Sequence, residues 1–149
     1  MSNRLLALFA VLVTASLLSC GSPTLLLPGG ALDGEVVPVP ADWGFVDEVN
    51  TVQLETNPQD PYSVNIWIVG MGDALYAHAG AKRTTWVENI EADPAVRVRI
   101  EDKIYELSAT RVEDQKEFDA FANAYETKYG TRPRHEKIEE VYLYRLTAR

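Results

Sequence analysis

The 149-residue chain carries 14 Lys+Arg against 22 Asp+Glu, a formal net charge of −8, with 46% hydrophobic residues and one cysteine. An acidic chain with no basic run is poorly suited to binding nucleic acid or anionic lipid by charge. A single cysteine excludes an intrachain disulfide.

Arg4 precedes an apolar run over residues 5–18 and the small residue Ser19, so residues 1–19 read as a secretory signal. The run is shorter than the about 20 apolar residues that a membrane-spanning helix needs. It ends in Leu17-Leu18-Ser19-Cys20, which resembles a bacterial lipobox with Cys20 as the lipidated first residue of the mature chain. The alternative is an ordinary signal followed by an incidental cysteine. The lipoprotein resemblance implies export and a lipid anchor, with the body folded in water. Gly21-Ser22 resemble the signal for the outer membrane where a cell has two. Cleavage would leave 130 residues and, by removing Arg4 alone among the charged residues, a net charge of −9, which suits one domain.

Residues 20–41 combine Cys20 with Pro23, Pro28, Pro38, Pro40 and Gly29-Gly30, and show no strand or helix period; they are expected to be a tether. The domain is expected over residues 42–149. Residues 51–56 alternate and predict a strand, with Val52 and Leu54 on one face. After the turn residues 57–61 comes a strand over 64–69, both of whose faces look covered, Trp67 included. The hairpin connection 70–73 leads to a strand over 74–79. Thr85-Trp-Val-Glu88 fits a capping box, and Trp86, Val87 and Ile90 share one face of a short helix that stops at Asp93-Pro94.

Val96, Val98 and Ile100 alternate with Arg97 and Arg99, and residues 104–112 return as a partner strand. The clearest helix spans 113–129, with Phe118, Phe121, Ala122, Tyr125 and Tyr129 in one stripe, Lys128 at its negative end and Gly130 as its stop. A last strand is expected over 140–147. Six short strands with two helices close most economically into a small barrel.

This order of elements resembles the split barrel of flavin- and deazaflavin-binding proteins, the pyridoxamine phosphate oxidase-like and nitroreductase-like families. The residues that carry the likeness are Ile66-Trp-Ile-Val69, Leu75-Tyr76, the stretch from Trp86 through Asn89, Asp93 and Pro94 to Val98, Tyr105, and Lys128-Tyr-Gly130. The resemblance implies FMN or deazaflavin as cofactor, a homodimer, and a small-molecule substrate. It also implies that Lys82, Arg83 and Thr84 hold phosphate at the start of the short helix, beside Trp86, while Tyr76, His78 and Ala79 wall the ring. Helix amides, a hydroxyl and two cations would suit an anion there. The plainer reading makes the same loop a solvated turn, His78 a packed strand residue and Trp86 a helix anchor. Where many relatives carry an arginine, residues 60–64 hold no basic residue.

No set of metal ligands, nucleophile elbow or phosphate-binding glycine loop is visible. The expected fold is mainly β with two helices, a six-stranded split β-barrel. Two functions remain open: a membrane-anchored flavin- or deazaflavin-dependent oxidoreductase acting on a small molecule, or a non-catalytic envelope lipoprotein using the barrel as a binding module.

Overall fold

The computed structural model describes residues 27–149. The signal, Cys20 and the first residues of the expected tether lie outside the described residues. No helix among those described is long and apolar enough to cross a membrane.

Period-two patterning places the strands. In β6 (Ala95–Ile100), Val96, Val98 and Ile100 are buried while Arg97 and Arg99 point away. It sits between β2 (Val52–Thr56) and β7 (Lys103–Arg111), with Leu54 opposite Val98 and Val98 opposite Tyr105. β3 (Tyr62–Ile66) closes one end of the sheet against β2. Beyond β7 come β8 (Leu143–Ala148), β5 (Ala74–His78) and β4 (Ile68–Met71). The path β3-β2-β6-β7-β8-β5-β4 is antiparallel throughout, a curled sheet of split-barrel form. Nine-residue β7 joins its two halves: Lys103 to Ser108 pair with β6, Leu107 to Arg111 with β8.

Among the described residues eight strands form where six were expected, for two reasons. The run 64–69 is interrupted at Trp67, where the chain leaves β3 at one end of the sheet and enters β4 at the other. Trp67, expected in the core, is instead 49% exposed. The second reason lies in the expected tether. Its residues 35–36 form β1 (Glu35–Val36), parallel to the start of β7. Gly29 bridges Ser63, and Leu32 is buried, its amide held by the Glu55 carboxylate. Residues 29–37 are thus part of the domain, because buried Glu55 and the open edge of β7 offer partners that no local periodicity reveals.

The two helices cover different clusters. α1 (Thr85–Ala92) sends Trp86, Val87 and Ile90 into the barrel core with Leu54, Val98, Leu107 and Leu146. α2 (Gln115–Tyr129) lays Phe118 and Phe121 over Val69, Tyr76 and Leu143 on the other face of the sheet. It begins two residues later than expected, because Asp114 caps it by accepting from the Lys116 amide, and it ends as expected at Gly130, which takes the left-handed conformation at φ 71°. A short 3-10 turn, Gly44–Glu48, packs Trp43 and Val46 beneath β4. Gly70 is required there, since a Cβ would lie 2.6 Å from the Trp43 carbonyl oxygen.

Candidate functional site

The expected cofactor residues, Tyr76 to Trp86, run from the middle of β5 into the first turn of α1. Alternation along β5 separates them. Leu75 and Ala77 face the barrel core, while Tyr76 and His78 face α2. Ala79 and the loop that follows return to the barrel side, where the Ala79 amide donates to the Tyr142 carbonyl at 2.9 Å and the Tyr142 amide to Gly80 at 2.8 Å. Tyr76 and His78 therefore face away from the barrel core that Trp86 enters.

On the barrel side, Thr84 rather than Thr85 precedes the helix, and no side chain caps it. The capping box is not made, because the chain enters the helix one residue earlier than the sequence pattern suggests. The Thr84 hydroxyl is buried with no hydrogen-bond partner. Arg83 turns onto its own helix: Nε donates to Glu91 at 2.9 Å, and a second nitrogen lies 3.4 Å from Glu88. Its charge is matched by these two carboxylates, both pairs lying at the surface. Exposed Lys82 has no ion pair among the described residues. Trp86 is 6% exposed and meets Tyr144 edge-on at 5.9 Å, the helix anchor expected of it.

Beside this loop runs a groove of about 400 Å³, lined by Ile90, Glu91, Ala109, Arg111, Tyr142 and Tyr144 among others. Antiparallel pairing sets Arg111 opposite Tyr144. The guanidinium carbon sits 4.4 Å from the Tyr142 ring centroid and 5.5 Å from that of Tyr144. Arg111 also donates to the Val141 carbonyl, which fixes the plane of the cation. Burial raises the Tyr144 phenol above its ordinary pKa, with Arg111 opposing. Glu91 belongs to both regions, pairing Arg83 and lining the groove. Loop and groove thus adjoin through Glu91, with the exposed Lys82 ammonium at one end, the unpartnered Thr84 hydroxyl buried beneath the loop, and a stacked cation on two tyrosines at the other end. Arg111, Tyr142 and Tyr144 escaped the sequence reading. The alternation of the two tyrosines was visible there, but their pairing with Arg111 across β7 and β8 was not.

On the α2 side, Tyr76 donates to Glu117 at 2.9 Å, and Arg145 donates to the same oxygen at 2.7 Å. Burial first, then the Glu117 bond and charge, push the Tyr76 phenol up to about 12. His78 lies 5.6 Å from Phe121 and 6.1 Å from Tyr125, ring to ring. Burial, with the His135 charge adding to it, lowers its pKa to about 4, so the ring is neutral. Its Nε2 is buried without a partner. His135 itself is half-buried, 3.7 Å from Glu140. No group of three His, Cys, Asp or Glu among the described residues could hold a metal.

The family model described as F420H(2)-dependent quinone reductase matches residues 67–139, which include the loop, α1 and α2. No curated protein matches the chain. Among solved structures, a conserved hypothetical protein from Mycobacterium tuberculosis is similar at TM-score 0.58 and 20% identity, over 70% of this chain and 76% of that one. A candidate pyridoxamine 5′-phosphate oxidase from Listeria innocua is similar at TM-score 0.55 and 14% identity, over 68% and 86%. An FAD-binding protein from Mesorhizobium loti is similar at TM-score 0.51 and 14% identity, over 70% and 84%. These likenesses bear out the resemblance read from the sequence.

Proposed function

For a chain that resembles the flavin- and deazaflavin-binding split-barrel family in sequence and fold, we propose a redox role: it holds a flavin or deazaflavin along the α1 loop and the adjoining groove. The observation that carries this reading is the continuity of loop and groove through Glu91 and Tyr142. The buried, unpartnered Thr84 hydroxyl suits a phosphate oxygen, and Lys82 is free to pair with it. Arg111 on Tyr142 and Tyr144 gives a planar wall for a ring system. The bound cofactor would supply hydride or electron transfer, and the chain's own residues would bind it, orient it and shield it from water. The F420H(2)-dependent family model supports a deazaflavin, and the FAD-binding neighbour a flavin. The substrate would be a small molecule.

The non-catalytic reading keeps one specific observation in its favour. Lys82, Arg83 and Arg111 are offset around the site by Glu88, Glu91 and Glu113, so it carries little net charge to attract a phosphate. The visible absorption spectrum of the purified protein decides between the two. It is recorded before and after adding FMN or the deazaflavin F420 and removing the excess. A retained, near-stoichiometric chromophore supports the redox role; a colourless protein that keeps neither sinks it.

The proposal also places the domain at the cell envelope as a homodimer, tethered through lipid on Cys20. A membrane fraction that releases the protein when Cys20→Ala is introduced supports the anchor, and an unchanged distribution refutes it.

A further inference from the structure

The cleft between β4, β5 and α2 lies on the opposite face of the sheet from the proposed cofactor groove. Its lining is Ile66, Trp67, Ile68, Val69, Tyr76, His78, Phe121 and Tyr125, around a volume of about 190 Å³. Residues 66–69 border it where β3 ends and β4 begins, with Trp67 and Val69 on the cleft side and Ile66 and Ile68 packing their side chains into the barrel core. Val69, Tyr76 and Phe121 make a buried floor. Trp67, half exposed and 6.0 Å from Tyr125 ring to ring, stands at the rim.

The polarity of this lining is unusual. It contains no Asp, Glu, Lys or Arg, so nothing there compensates a charged ligand. The Tyr76 hydroxyl is already committed to Glu117. His78 Nε2 is the one buried side-chain atom of the lining without a hydrogen-bond partner. A buried polar atom left unmatched is costly, and a ligand group that reaches it recovers that cost. An apolar cavity of about 150 Å³ accepts benzene, so this volume matches one ring with one or two substituents.

We propose that this cleft is a second ligand site, for a small uncharged monocyclic aromatic molecule that bears one hydroxyl hydrogen-bonded to His78 Nε2. The four aromatic side chains and His78 contact the ring, and the hydroxyl can donate to or accept from either tautomer of the imidazole. The site is independent of the redox reading, since Tyr76 and His78 face α2 and not the groove.

The test uses 4-methylphenol, toluene and benzoate, titrated into the purified protein and followed by tryptophan fluorescence and by 1H–15N spectra of the histidine rings. The expected result is saturable binding of 4-methylphenol at one per chain, with toluene at least about tenfold weaker, the equivalent of one lost hydrogen bond of about 1.4 kcal/mol. Benzoate should not bind. His78→Leu should bring 4-methylphenol down to the affinity of toluene, and in the unaltered protein the His78 ring signals alone should move. Equal affinity for toluene and 4-methylphenol, binding of benzoate, unmoved His78 signals, no saturable binding, or displacement of 4-methylphenol by FMN would each overturn the proposal.

Discussion

The indole of Trp67 lies flat on the ring of Tyr129, with centroids 4.6 Å apart and planes 12° from parallel. The same tyrosine hydroxyl accepts from the Ile68 amide at 3.0 Å and lies 2.9 Å from the carbonyl oxygens of Ile68 and Asn50. Lys128 beside it donates to the carbonyls of Val46 at 2.6 Å and Ile68 at 2.8 Å. The last turn of α2 thereby closes the outer edge of β4, which would otherwise offer unpaired backbone groups to another chain. Lys128→Met should cost roughly 2–4 kcal/mol, because two main-chain carbonyls lose a charged donor. Trp67→Ala should cost only about 1–2 kcal/mol, since half the indole already faces water. Urea unfolding monitored by circular dichroism checks both, and a larger loss at Trp67 than at Lys128 would contradict this account.

Glu55 is 4% exposed and accepts Arg97 Nη1 at both oxygens, at 3.0 and 3.1 Å, together with the Leu32 amide. Removing one partner of a buried pair strands the other, so Glu55→Ala should lose about 3–5 kcal/mol. The loss should also free residues 29–37 from the sheet. Hydrogen exchange at the Leu32 amide is the sensitive readout, and protection that survives the substitution would show that the segment is held by other means.

His78 links stability to pH. Its folded pKa is lowered to about 4 from the ordinary 6.5, mainly by burial. Between those values the unfolded chain binds more protons than the folded one, so stability is full above pH 6.5 and falls as the pH drops toward 4. The loss attributable to this group reaches about 3 kcal/mol at most. His78→Leu should flatten the decline over that window. An identical decline in the variant would move the cause to another group.

The loop residues differ in availability, and cofactor affinity should follow. Lys82→Ala and Thr84→Val remove uncommitted groups, and each should weaken cofactor binding by about tenfold, the equivalent of one charge-assisted bond. Arg83→Ala should weaken it by only about two- to threefold, because Glu88 and Glu91 already hold the guanidinium. Titration of the three variants with the chromophore gives the order. A dominant Arg83 would mean that its ion pairs open when ligand arrives.

Much of this architecture follows from the sequence alone. The alternation of Val96, Val98 and Ile100, the stripe from Phe118 to Tyr129 closed by Gly130, and the halt of α1 at Asp93-Pro94 are local patterns, set by backbone period and steric limits that neighbours along the chain already express. The split-barrel family was legible in the same way, because it rests on the order of such elements. Only the tertiary structure decided the rest: the break at Trp67, the docking of residues 29–37 on Glu55 and β7, and the pairing of Arg111 with Tyr144. It also sent Tyr76 and His78 to the α2 face while Trp86 stayed with the barrel. These relations join residues far apart in sequence. Which partner each side chain meets depends on how the sheet curls, and no local spacing encodes that.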